Sequence, residues 1–432
     1  VIERYSRPEM AAVWSEEHRL DLWLRVELAA CEARESRGEI PAGTAARIRA
    51  AARLSGRRMA EIEAVVRHDV IAFLTMVAES AGDDARHLHA GMTSSDLVDT
   101  ALALQLVEAC GRVLEGARRL RRTVWDLAQR HRRTPMVGRT HGIHAEPITF
   151  GLKGLIWSQE LGRDVRRLEA ACEGVRVGKF SGAVGTLAHL EPAVEEEALA
   201  RLGLRPEEAA NQVVQRDRHA ALLSALALLG ATLEKVALEI RHLQRTEVRE
   251  AQEPFAAGQK GSSSMPHKRN PVNCERVCGM ARLLRGYAQT GLENVALWHE
   301  RDISHSSVER VIFPDAFLVT DFMLGSMQEI LGGLVVHPER MKANLEASGG
   351  LVFSQSVLLA LVEAGHSRED AYAVVQEHAL AALEQGGFRD RLAADPRVRA
   401  AMSPERLARC FELEPYLRNV DAIFARCEEP AP

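Results

Sequence analysis

Apolar residues recur along this chain at three- and four-residue steps, and strand-like alternation is nearly absent. From Pro8 to about Arg37, the positions Val13, Leu20, Trp23, Leu24, Leu28 and Cys31 follow that period, and Glu61–Glu79 repeats it. Asp96–Arg133 runs about 38 residues without a proline, and Pro135 stands just beyond its end. Three more long helices are predicted over Pro147–Val175, Pro206–Gln252 and Pro271–Leu297. These last four exceed the mean globular helix of about 11–12 residues by a factor of about two to four. Such lengths suit a bundle in which each helix shares its apolar stripe with several neighbours. Small residues gather at 177–186 (VGKFSGAVGT) and 258–264 (GQKGSSS), both between long helices. The expected division is a helical domain over 1–110, a central long-helix bundle over 111–364 and a helical tail domain over 365–432.

Composition narrows the class. The chain has 432 residues, with 55 Lys plus Arg against 60 Asp plus Glu, so its net charge is −5. That balance argues against a general binder of nucleic acid or anionic membrane, while leaving room for local basic pockets. The longest apolar run, Ala220–Leu233, is 14 residues. It falls short of the ~18 that suggest a membrane span and predicts a buried helix. The opening VIERYSRPEM has no apolar core of a secretory signal. Seven scattered cysteines without a CxxC pair fit a reduced, cytoplasmic protein.

Neither GxGxxG nor GxxxxGK[ST] occurs, so the common phosphate-cradling loops are missing. His299-Glu300 does not open an HExxH site, because position 303 is Ile. Cys274 and Cys278, four apart on one helix, are expected in a core or interface rather than on a metal. Four motifs carry chemistry. The first is Gly258–Pro271, GQKGSSSMPHKRNP, which ends in helix-start residues, Asn270 to cap and Pro271 to begin. A helix N-terminus beside Lys268 would make an anion site, and its positive potential would favour a deprotonated serine. A flexible Ser-rich linker is the alternative there. The second is RTHGIHAEP (139–147), where His141 and His144 lie in a polar turn, suited to acid or base work. The third is HAGMTSSD (89–96), for which helix capping is the preferred reading on spacing alone, and the fourth is Arg67-His68-Asp69, expected within a helix, where an ordinary exposed face is the default reading.

Together these motifs resemble the fumarase/aspartase superfamily, whose members release fumarate by β-elimination. Within it the nearer resemblance is to the adenylosuccinate lyase family, through GSSSMPHKRNP, MTSSD (92–96), RTH (139–141), RHD (67–69), Arg4-Tyr5 and the tail SREDAYAVVQEHA (367–379). The resemblance implies an all-α, three-domain fold, four copies of which assemble their central bundles into a homotetramer. It implies that His141 is the general acid and Ser262 the base. Lys268 and Asn270 would hold the succinyl carboxylates, helped by Thr93, Ser94 and Gln212. Arg4, Tyr5, Arg301, Ser306 and Arg310 would grip a 5′-phosphate. Arg67, His68, Asp69 and His89 would line the site, and Glu275 would partner the histidine. The substrates would be succinylated purine nucleotides, with no metal or organic cofactor.

A sister lyase acting on argininosuccinate, or a carboxymuconate cycloisomerase, would keep Ser262 and Lys268 without needing the phosphate set. A non-catalytic helical scaffold would need neither the serine loop nor His141. Helix length adds one expectation. A straight helix of about 38 residues separates Thr93-Ser94 from the His141 turn by more than ~50 Å. No single small substrate reaches both in one chain, so active sites shared between subunits are expected.

Overall fold

The computed structural model describes residues 2–256 and 258–430. It is an all-α architecture with three small two-stranded sheets. The helices in chain order are α1 (Pro8–Val13), α2 (Glu16–Ser36), α3 (Thr44–Ala51), α4 (Gly56–Val66), α5 (Asp69–Ala81) and α6 (Ser94–Arg130). An antiparallel hairpin follows, β1 (Pro135–Thr140) and β2 (Ile143–Thr149), then α7 (Phe150–Gly174). Strand β3 (Val177–Gly178) pairs in parallel with β4 (Arg205–Pro206) on either side of α8 (Pro192–Leu202). After α9 (Asp217–Gln244), β5 (Ala251–Gln252) pairs with β6 (Val335–Val336), which comes after α10 (Val272–Glu293) and α11 (Ser304–Gly332). Beyond lie α12 (Pro338–Glu346), α13 (Ser354–Glu363), α14 (Arg368–Gln385) and five short helical turns.

Most of the long helices form where periodicity places them, α11 being one that was not expected, and several boundaries move because side chains interrupt the backbone ladder. Pro8–Arg37 is two helices, since the Ser15 hydroxyl accepts the His18 N–H at 3.2 Å and starts α2 afresh. The RHD motif does not lie within one helix but at the junction of two. Arg67 closes α4 in the left-handed region at φ 55°, and His68 caps α5, its Nδ1 accepting the Ile71 N–H. Pro147 sits in a strand opposite Val137 rather than in the first turn of α7. The ladder slips between Val137 and Arg139, where Gly138 lies so close that a Cβ would come within 2.7 Å of the Glu146 carbonyl. The helix expected from Pro206 begins only at Asp217, because the preceding chain is drawn onto Asp99, which accepts the Val214 N–H at 2.9 Å. Most of the apolar stretch of α9 is buried, as a core helix requires.

Contacts divide the chain into two compact units, and the division cuts across α6, α7, α9, α10 and α11. The first comprises residues up to Arg119, Leu161–Glu234 and Arg276–Ser326. Its core joins α2, α5 and α8 through Leu20, Leu28, Phe73, Val77, Ala198 and Leu199, with Trp23 edge-on to Phe73 at 5.4 Å. Each large side chain buried there is worth about 1.5–3 kcal/mol. The second comprises Leu120–Glu160, Lys235–Glu275 and the chain from Met327. One core of this unit lies among the C-terminal helices, around Val357, Leu361, Val374, Phe388 and Leu392. A smaller one packs Trp125 and Leu155 against Leu417 and Phe424.

Candidate active site

A cleft of about 580 Å³ opens in the first unit, and Arg67, His68, Asp69, Ser94, Arg301, Ser306 and Arg310 all line it. The break between α4 and α5 turns the RHD motif towards the cleft, while Ser94 is the first residue of α6. Burial works to raise the Asp69 carboxyl, but the ion pair with Arg310 outweighs it and holds Asp69 below the usual carboxylate range. Gln212 joins this group without lining the cleft, its Oε1 accepting from Arg301 Nη1 at 2.9 Å. Trp14, Trp23 and Leu102 supply apolar wall.

The floor is a buried ion triad that sequence reading did not find. Arg216 donates to both Asp99 oxygens at 2.7 and 2.9 Å and to both Glu309 oxygens at 2.9 and 3.0 Å. Burial disfavours the guanidinium charge, but the two carboxylates hold Arg216 firmly protonated. His305 lies in the same wall, 3% exposed, with no hydrogen-bond partner on Nδ1. Burial and then Arg216 push its imidazole down to about 4, so it is neutral at physiological pH.

Arg4 and Tyr5 do not line the cleft. They form a short 3-10 turn, in which the Tyr5 ring stands edge-on to Phe322 at 5.3 Å. His89 sits at φ 59° in the turn before α6, where the fully buried Glu27 takes its Nδ1 and its backbone N–H, each at 2.7 Å. Thr93 precedes α6, and its N–H is accepted by Asp96 at 2.8 Å. Asp96 is itself buried in an ion pair with the fully buried Lys179, which fastens the small-residue segment after α7 to the start of α6. Glu27 and Lys179 left one signal in the sequence, a charge embedded among apolar neighbours.

In the second unit His141 and Gly142 are the two turn residues of the β1–β2 hairpin, both with positive φ, 56° and 79°. A two-residue hairpin of this hand requires that conformation, which histidine tolerates better than branched residues do. His141 is exposed at the tip. The hairpin is moored by Arg139, which donates to both oxygens of the fully buried Glu250 at 2.8 Å, while Asn344 donates to one of them.

The serine loop has an ordered inner turn. Ser262 Oγ accepts the Ser264 and Met265 N–H groups at 3.3 and 3.2 Å. Asn270 Nδ2 donates to the Gly261 carbonyl at 3.0 Å, and Lys268 is exposed. The helix-start expectation needs correcting here. Helix α10 begins at Val272, one residue later than expected, Asn270 turns its Nδ2 to the loop, and the buried Glu253 accepts the N–H groups of Asn273 and Cys274. An internal carboxylate therefore already meets the positive end of α10. Glu275 is exposed in the first turn of α10. Among the described residues no hydrogen bond or ion pair joins His141 to Ser262 or Glu275. Cys274 and Cys278 are buried in the core, as expected.

Comparison with known proteins bears directly on this constellation. Residues 3–286 match the family model described as lyase, and residues 350–427 match the one described as adenylosuccinate lyase C-terminus. Proteins named adenylosuccinate lyase are 53% identical in Synechocystis sp. over 430 residues and 48% identical in Bacillus subtilis over 427. These alignments cover 99% of this chain and 100% and 99% of the relatives. Among solved structures, a fumarate lyase from Mesorhizobium sp. superposes with a TM-score of 0.89 at 30% identity, covering 98% of both chains. A 3-carboxy-cis,cis-muconate lactonizing enzyme from Pseudomonas putida gives 0.89 at 32%, covering 98% of this chain and 96% of that one. The fold is thus shared with enzymes of different names, a lyase and a lactonizing enzyme among them, while the tail domain and the end-to-end identity discriminate, and the chain belongs to the adenylosuccinate lyase family.

Proposed function

We propose that this enzyme eliminates fumarate from adenylosuccinate, giving AMP, and from succinylated aminoimidazole carboxamide ribotide. The observation that carries the reading is Ser262, whose Oγ accepts two backbone N–H groups inside the serine loop. Hydrogen bonds donated to an oxygen favour its anionic form, which is what a serine needs to act as a base. Ser262 takes the succinyl β-proton, the electron pair forms the fumarate double bond, the C–N bond breaks, and His141 protonates the departing nitrogen. Proton removal builds charge on the adjacent carboxylate, and Lys268 with Asn270 receives it, aided by Thr93, Ser94 and Gln212. Arg301, Ser306 and Arg310, with Arg4 and Tyr5, take the 5′-phosphate. Arg67, His68, Asp69 and His89 line the substrate pocket, and Glu275 partners His141.

The same proposal includes the three-domain division at 110 and 364, a cytoplasmic homotetramer, and active sites shared between subunits. Among the described residues the seven cysteines form no disulfide, which suits a reducing compartment. The test is fumarate release from both succinylated purine substrates and from argininosuccinate, with lactone formation from carboxymuconate measured beside it. Turnover of both purine substrates is expected, and Ser262→Ala should abolish it while leaving substrate affinity within about tenfold. Release from argininosuccinate alone would reassign the substrate, and a fully active Ser262→Ala enzyme would reassign the base.

A further inference from the structure

Two side chains outside every motif above converge on the stem of the serine loop. Gln244 is the last residue of α9. Its Oε1 accepts the Glu253 N–H at 3.0 Å, and its Nε2 donates to the Arg269 carbonyl at 2.9 Å. One planar carboxamide thus spans the chain where it enters the loop and where it leaves. Glu253 is buried and completes the joint from the other side, its carboxylate accepting the Cys274 N–H at 2.6 Å and the Asn273 N–H at 3.3 Å. The connection runs on inward. Arg269 is followed by Asn270, whose amide holds the Gly261 carbonyl at 3.0 Å, and Gly261 is followed by Ser262.

We infer that Gln244, seated on Glu253, is a positioning residue for the reaction: it clamps the two limbs of the serine loop and so sets where Ser262 and Lys268 stand. The inference rests on the reading of Ser262 as the base. A loop closed at its stem loses less conformational freedom when it orders over a ligand. Because the clamp joins one N–H to one carbonyl, it needs a group that donates at one end and accepts at the other, which is the property of a carboxamide. A carboxylate in its place would keep the acceptor for Glu253 and set a second oxygen against the Arg269 carbonyl. Reaction geometry is sensitive to such a displacement, since about 1 Å of misplacement can cost on the order of a hundredfold in rate.

The experiment uses the full-length enzyme with Gln244→Ala and Gln244→Glu. Hydrogen–deuterium exchange of peptides covering Gly258–Pro271 should rise in both variants while exchange across α6 and the unfolding midpoint stay as in the wild type. kcat should fall about tenfold or more, with the affinity for a non-reacting succinyl nucleotide analogue changed less than kcat. Unchanged loop exchange in both variants overturns the clamp. So does a loss of kcat that merely follows a lowered unfolding midpoint, because that is the signature of a cap for α9 and α10. Wild-type inactivity on succinylated purines would count against the proposed function alone, since the exchange measurement needs no turnover.

Discussion

His219 and His305 are both buried near Arg216, and both are kept neutral by the loss of water around them. Burial first and Arg216 second push His219 down to about 3 and His305 down to about 4. An unfolded histidine titrates near 6.5, so between that value and these the unfolded chain binds more protons than the folded one. Stability is therefore fully present above about pH 6.5 and falls as the pH drops towards 4 and then 3. Each pKa unit of difference is worth about 1.4 kcal/mol, so the acid limb should be steep. Unfolding midpoints measured from pH 7 to pH 4 should decline in the wild type and decline less in His219→Gln. Parallel profiles for the two proteins would assign the acid sensitivity to other groups. Neither histidine stood out in the sequence, where His219 borders an apolar run and His305 sits among serines. Their roles depend on Arg216, which reaches Asp99 across 117 residues and Glu309 across 93.

At the scale of elements, periodicity located α6, α7, α9 and α10 but not the 29-residue α11, and side-chain caps decided the starts of α2 and α5. The break at Ser15 was legible in principle, since serine followed by Glu16 and Glu17 is a helix-start pattern. The β1–β2 hairpin was not, because Arg139, His144 and Glu146 mask any alternation and its register depends on a slip at Gly138. In the serine loop, Gly261 is required by a close approach: a Cβ there would lie 2.0 Å from the Lys268 carbonyl. That oxygen belongs to the backbone, so the loop itself must shift to admit a methyl group. Gly261→Ala should lower turnover on the order of a hundredfold and leave the unfolding midpoint unchanged, because the loop is exposed and contributes little to the core. Steady-state rates beside thermal melts check this, and a fully active variant would mean that the inner turn is not the reactive conformation.

For the whole molecule, the length of α6 is the governing fact. Its 37 residues at about 1.5 Å each extend roughly 55 Å from Ser94, and the hairpin bearing His141 begins only at Pro135, beyond Arg130. A substrate touched by Ser94 and His141 would then need two chains, and symmetric oligomers provide them. Inactive His141→Ala enzyme mixed with an inactive Thr93→Ala/Ser94→Ala variant, then dissociated mildly and reassembled, should recover activity. Some sites in such hybrids carry both intact motifs. If hybrids confirmed by native mass spectrometry stay inactive, the shared site is wrong and Thr93–Asp96 serves only to start α6.

The sequence by itself determined the all-α class, most of the long helices, the family, and the motifs around His141 and Ser262. Each of these is written in residues close together along the chain, where period, turn chemistry and motif spacing are local properties. Tertiary structure alone decided what holds those motifs: Glu250 on Arg139, Glu253 on the start of α10, Glu27 on His89, Lys179 on Asp96, and the triad around Arg216. It also reversed one expectation, turning the N-terminus of α10 from an open anion site into one already met by Glu253. The reason is physical. A buried charge must find its counterpart, and that partner is chosen by which elements pack together, so a spacing of 20 to more than 100 residues carries no local trace.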